Sequence, residues 1–105
     1  MTAAGDLNRR LVLDARVDAD DGAGGVTTTY ESVATLWAQV TPAGASPDVS
    51  ADSLGVTRRY AIVIRYRDDV TTRHRFQDGG RIYRIAAVQE SADRRFLEIA
   101  AEEHD

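Results

Sequence analysis

The sequence predicts an all-β domain: a small antiparallel β-barrel or sandwich of about six strands with one long loop. Three observations point there. The dominant hydrophobic period is two, not 3.6. Clusters of Gly and Asp recur between the alternating runs, as hairpin turns require. No segment carries a helical pattern longer than a turn. Two-stranded ribbons are marginal alone, so the strands must close on each other.

The elements follow in order. Arg10 to Asp18 alternates, with Leu11, Leu13, Ala15 and Val17 on one face and Arg10, Asp14, Arg16 and Asp18 on the other, a strand with one wet side. Asp20 to Gly25 reads as a hairpin turn. The β-branched run from Val26 continues to Val40, where Leu36, Ala38 and Val40 share a face. Trp37 points the other way and calls for a second packing surface. Thr41 to Gly55 holds both prolines and reads as a long loop, with one helical turn at most around Asp48 to Leu54. Val56 to Arg67 is the clearest strand, with Tyr60, Ile62, Ile64 and Tyr66 opposite Arg59, Arg65 and Arg67. A short strand at Thr72–Phe76, one at Arg81–Val88 and a last one at Arg94–Ala101 complete the set, and residues 102–105 read as a frayed tail. The expected core is Leu11, Leu13, Leu36, Val40, Ile62, Ile64, Ile85, Leu97 and Ile99. The whole chain, 1–105, reads as one domain.

Composition removes several classes of function. There is no Cys, so disulfide stapling and thiolate chemistry are absent. No basic stretch followed by an apolar one opens the chain, and no apolar run approaches the roughly 20 residues that span a bilayer. The expectation is a soluble, cytoplasmically made protein with no membrane contact. The net charge of −4 excludes a generally basic nucleic-acid binder. All thirteen cations are Arg, unevenly placed. The net charge is −5 from Met1 to Thr57, +5 from Arg58 to Arg95 and −4 from Phe96 to Asp105.

No motif supplies a catalytic or metal-binding constellation. Asp18-Ala19-Asp20-Asp21-Gly22 resembles the start of a calcium loop, but position six would be Ala23 and position twelve Thr29, where Gly and Glu are needed. His74, between Arg73 and Arg75, has no nucleophile or carboxylate patterned around it. Neither glycine pair is followed by the Lys and Ser/Thr of a phosphate loop. The expectation is no cofactor, no metal and no enzyme activity. The Arg residues Arg59, Arg65 and Arg67, with Arg73 and Arg75 on the next strand, carry three open readings: a solvated face, a subunit interface, or contact with nucleic-acid phosphate.

The pattern as a whole resembles the head–tail joining proteins (head-closure, stopper or adaptor proteins) of long-tailed double-stranded DNA phages. Gly5-Asp6-Leu7-Asn8-Arg9-Arg10-Leu11-Val12-Leu13 is similar to the family's opening. Asp21 with Gly24-Gly25 resembles the hairpin that follows. Val33-Ala34-Thr35-Leu36-Trp37-Ala38-Gln39-Val40 is the most specific segment. Arg58 to Tyr66, Asp78-Gly79-Gly80-Arg81-Ile82-Tyr83-Arg84-Ile85 and Arg94-Arg95-Phe96-Leu97-Glu98-Ile99 resemble the later strands. Tyr30 stands where many members carry Trp, and the 41–55 loop matches no motif.

The resemblance implies a small β-barrel subunit of a homo-oligomeric ring, with six- or twelve-fold symmetry, and no enzyme activity. Its place would be the neck of a virion or a phage-like gene transfer particle assembled in the bacterial cytoplasm. A portal or adaptor ring would lie above, a tail terminator or tail tube below, and double-stranded DNA would pass through without sequence-specific contact. Within that frame Arg59, Arg65, Arg67, Arg73 and Arg75 are the expected ring or adaptor interface. Asp48, Asp52 and Leu54 are the expected channel loop, where negative charge would repel DNA phosphate. A different class stays open: a small β-barrel interaction module that binds nucleic acid or a peptide.

Overall fold

The computed structural model of the chain describes residues 4–47 and 55–104. Six strands build it: β1 (Arg9–Asp20), β2 (Val26–Pro47), β3 (Val56–Arg65), β4 (His74–Asp78), β5 (Arg81–Glu90) and β6 (Phe96–His104). All neighbours are antiparallel, in the order β1-β2-β3-β6-β5-β4, and β4 pairs back onto β1, so the sheet closes into a barrel. The helical content of the described residues is one 3-10 turn at Ala4–Asp6. No helix is long and apolar enough to cross a membrane.

Period-two alternation decides what lies inside. Leu11 and Leu13 of β1, Ala38 of β2, Ile62 and Ile64 of β3, Phe76 of β4, Tyr83 and Ile85 of β5, and Leu97, Ile99 and Ala101 of β6 fill the interior. Leu36 and Val40 pack against this cluster while partly exposed. Tyr60 and Tyr83 meet edge to face with ring centroids 5.0 Å apart, the arrangement that the ring quadrupoles favour. Burying each such Leu or Ile stabilises the barrel by about 2 kcal/mol against leaving it in water.

β2, at 22 residues, is much the longest strand, and it shapes the molecule. Its first half pairs with β1 and its second half with β3. β4 reaches β1 only as far as Ala15, so Arg16–Asp20 and Val26–Tyr30 continue as a ribbon of two strands beyond the barrel. The turn at its tip is tied by Asp21, whose Oδ1 accepts the N–H of Ala23 (2.8 Å) and of Gly25 (3.0 Å). Gly22 and Gly24 take φ of 79° and 83° there, a conformation that only glycine adopts cheaply. The radius of gyration is 15.2 Å. A compact domain of this length would have about 13 Å, and the projecting hairpins make the difference.

Four expectations change. The long loop begins later than expected: Thr41–Pro47 are strand, paired with Val56–Thr57 and onward to Ala61. Beyond Ala38 β2 has a partner on one side only, and an edge is where a sheet tolerates proline. A register shift between Pro42 and Gly44 absorbs the irregularity. Asp48, Asp52 and Leu54 lie outside the described residues. The tail is not frayed through Glu102–His104, which form the end of β6 between β3 and β5. His104 Nδ1 lies 2.9 Å from Thr57 Oγ1, and Tyr60 Oη donates to Glu103 Oε1 at 3.2 Å. β4 runs over His74–Asp78, two residues later than expected. Thr71 holds the preceding turn, its carbonyl accepting the His74 N–H at 3.1 Å.

The fourth change is Asp14. Alternation assigns it to the wet side, yet it is 1% exposed. A register shift between Leu13 and Asp14 locally distorts β1 where β4 meets it. Arg75 donates its Nε–H to Asp14 Oδ2 at 3.0 Å, Gln77 donates its side-chain amide to the same oxygen, and the Ser32 hydroxyl donates to Oδ1 at 3.3 Å. The Arg75 guanidinium in turn lies 3.7 Å from the centroid of the Tyr30 ring. Removing the carboxylate would leave a half-buried guanidinium and an amide without their acceptor. Asp14→Ala is therefore expected to cost about 2–4 kcal/mol of stability, read as a shift of the urea midpoint with an unchanged slope.

Candidate functional site

His74, the histidine of the basic segment, ties the turn before β4. His74 Nδ1 faces the backbone N–H and the hydroxyl of Thr71 at 3.2 and 3.1 Å, a turn-holding arrangement. Among the described residues no group of three or more His, Cys, Asp or Glu is placed to hold a metal ion.

The five arginines expected to form one patch are divided among four environments. Arg59 and Arg65 are exposed at opposite ends of the β3 outer face, six residues and about 20 Å apart. Arg67 lies beyond the end of β3 and is held by Asp69 through two contacts of 2.9 Å. Arg73 donates to Asp18 at 3.0 Å. Arg75 closes over Asp14. Three of the five are thus engaged within the chain, while Arg59 and Arg65 make no ion pair among the described residues.

The charge layout of the sequence also acquires a reason inside the fold. β6 lies between β3 and β5, so its acidic end enters the basic segment. Glu103 stands opposite Arg58, and Glu102 stands opposite Arg59 on one side and Arg84 on the other. Arg81 approaches Glu103 at 3.8 Å. Cross-strand pairs of opposite charge stabilise a sheet modestly.

One surface stays unbalanced. Arg10 pairs with Trp37 across β1 and β2, and its guanidinium lies 5.4 Å from the centroid of the indole. Ala38 pairs with Ile64, so Arg65 follows beside Trp37 on β3, and the two line one shallow surface hollow with Leu7 and Asn8. A neighbouring hollow joins Trp37 and Arg65 to Tyr66 and Arg67. Trp37 is 53% and Tyr66 46% exposed. Arg10 and Trp37 are not among the expected interface residues. The alternation that sends Trp37 to the wet side is the signal in the sequence, but its flanking by two arginines depends on strand register.

The acidic surface lies elsewhere, on the β1–β2 hairpin. Asp18 accepts from Arg16, Thr28 and Arg73. The Arg16 hydrogen bond is the main reason that its carboxyl titrates below the ordinary range. Asp21 is held low by the backbone N–H groups of Ala23 and Gly25, and Asp69 by Arg67.

The described residues thus form a closed barrel with a projecting β1–β2 hairpin and an exposed aromatic–arginine face. The chain belongs to the phage head completion protein family, whose model matches residues 2–104. A chain in the virion of a native gene transfer agent particle is 31% identical, with a TM-score of 0.83, over 94% of this chain and 96% of that one. The solution structure of protein SF1141 from Shigella flexneri 2a is 26% identical, with a TM-score of 0.70, over 97% and 96%. A comparison with curated protein sequences gives no match.

The depressed carboxyls give a pH dependence with a defined sign. A folded-state value below the ordinary 3.8 means that the unfolded chain takes up the proton first. The stability contributed by Asp18, Asp21 and Asp69 is therefore present in full above about pH 5 and lost as pH falls below about 4. Urea melts at pH 5 and pH 3 are expected to show this loss. The part owed to Arg16 and Arg67 shrinks in 1 M salt, at a Debye length of about 3 Å, while the backbone-held Asp21 part persists.

Proposed function

We propose that this chain is a structural subunit of the neck between head and tail in a phage or gene transfer particle, acting as a homo-oligomeric ring. The observation that carries the proposal is the likeness to a chain of a gene transfer agent virion along nearly the full length of both. Family membership supports the same reading. In this reading the ring closes the filled head beneath the portal or adaptor ring and offers its lower side to the tail terminator or tube. It assembles in the bacterial cytoplasm, has six- or twelve-fold symmetry, and works without catalysis.

The physics suits a ring. A chain of this size cannot enclose a DNA duplex alone, but copies joined through two different surfaces can. An acidic net charge of −4 lets DNA pass without the steep grip that a basic lumen would exert. The segment 48–54 joins β2 to β3 at the far end of their hairpin. We assign it to the channel, with Asp48 and Asp52 repelling phosphate and Leu54 narrowing the bore. Arg59 and Arg65, with Arg67, are the residues assigned to contacts with a neighbour or the adaptor ring.

One observation favours the nucleic-acid module as a second reading: Trp37 lies between two arginines, a stacking platform on a basic face. Tight binding of single-stranded DNA by the purified chain, abolished by Trp37→Ala, would support it over the ring.

For the ring, the triple variant R59E/R65E/R67E is expected to keep the folded barrel by circular dichroism, with its urea midpoint lowered only by the loss of the exposed Arg67–Asp69 pair. Particles carrying it as the only copy are expected to yield joined heads and tails at least about tenfold fewer, since reversing interface charges costs more than 1.4 kcal/mol. Normal yields with normal rings would overturn the assignment.

A further inference from the structure

The ring reading requires two complementary surfaces on one chain, and the structure carries a matching pair. We propose that the acidic tip of the β1–β2 hairpin of one subunit docks on the Arg10–Trp37–Arg65 face of the next. This proposal rests on the ring reading and names the contact that builds it.

The hairpin is the first half of the contact. Beyond Ala15 it is a ribbon of two strands whose outer edges have no partner in the barrel order. About five residues of each strand extend roughly 17 Å. Such a ribbon is marginal in water unless something covers it. Its tip groups Asp18, Asp20 and Asp21, and the backbone N–H groups of Gly22, Ala23 and Gly25 fix the last two carboxylates in place. Asp20 and Asp21 make no ion pair among the described residues. Opposite Asp20 stands Val26, 67% exposed, the most exposed large apolar side chain described.

The face on β1, β2 and β3 is the second half. Arg10 and Arg65 flank Trp37, and neither makes an ion pair among the described residues. Trp, Tyr and Arg are the residues on which binding energy concentrates in interfaces. Two guanidinium groups without carboxylates, around a half-exposed indole, suit a partner that brings carboxylates and an apolar side chain. The hairpin tip brings both.

One copy cannot make this contact with itself. Val26 and Trp37 are eleven residues apart on the same extended strand, about 36 Å. The tip must meet the face of another copy. Because tip and face are different surfaces, every subunit gives one and receives one, and the chain of contacts ends only by closing.

The absence of Cys from the chain makes the test clean. Particles carrying D21C/R65C as the only copy, oxidised and run without reductant, are expected to give a ladder of covalent multimers up to the full ring. Particles with D21C and R65C on separate co-expressed chains should give dimers alone, and either chain by itself should give monomer. A cross-link to a different particle protein, or no cross-link in a neck that still holds a ring, overturns the contact while the ring stands. A neck with single copies overturns both readings. Charge exchange covers the case in which the cysteine chain is not incorporated. R10E/R65E and D20R/D21R are each expected to lower joined particles at least about tenfold, and their combination in one chain to restore them to within about threefold. Failure of the combination to restore yield overturns the proposal.

Discussion

The barrel exists because β4 pairs back onto β1, and that seam is as short as the one between β4 and β5. Only Val12–Ala15 and His74–Gln77 take part. Four residue pairs hold the closure, and Asp14 lies in the middle of them with its partners drawn from the strands on both sides, β2 and β4. Opening this seam would leave β1 and β4 as edges and expose Leu11, Leu13 and Phe76 together. A carboxylate is an unusual closure for an apolar barrel. It fits because it accepts from several donors in one geometry, which gives the short seam a fixed register. Tyr30 completes the arrangement by covering the cation from the neighbouring strand.

Closure at a short seam also frees the rest of β1 and β2. Strands matched in length would give a plain barrel. Here β1 and β2 outrun β4 in one direction and β2 outruns β1 in the other, so the first hairpin leaves the barrel as a two-stranded ribbon and the end of β2 projects as an edge beside β3, which β6 covers on its other side. The two projections differ in how their open backbone is treated. The second carries Pro42 and Pro47 and an irregular register at Gly44, features that blunt an edge against indiscriminate pairing. The first has no proline, and its protection is the charge of its tip. A projection guarded by charge can still be received by a surface of opposite charge, which is the property an assembling subunit needs.

Electrostatics in this chain therefore acts on two levels. Within the fold, the ends of β3, β5 and β6 interleave Arg and Glu, while Arg67, Arg73 and Arg75 find Asp69, Asp18 and Asp14. Between copies, charges that the fold leaves without an ion pair can act: Arg10 and Arg65 at one place, Arg59 at a second, Asp20 and Asp21 at a third. The surplus is small, and small surpluses on separate surfaces favour weak contacts that become strong through repetition around a ring.

The family followed from motifs spread along the sequence. The all-β class, the position of most strands and the inward row Leu11, Leu13, Ile62, Ile64, Leu97, Ile99 were legible in the sequence by itself, because alternation with period two is imposed locally by the pleat. The proline-rich stretch from Thr41 was misread because proline reports a loop unless a partner strand is known, and β3 is that partner. Glu102–His104 looked like a loose tail until β6 was placed between two strands that carry Arg. Asp14 looked solvated because alternation assigns sides and says nothing of what covers the outer one. The arginine patch was read from two strands taken as neighbours, yet which Arg finds a carboxylate depends on register across strands far apart in the chain. Local geometry writes the faces of a strand into its sequence. Which faces meet is a matter of closure, and only the closed barrel decided it.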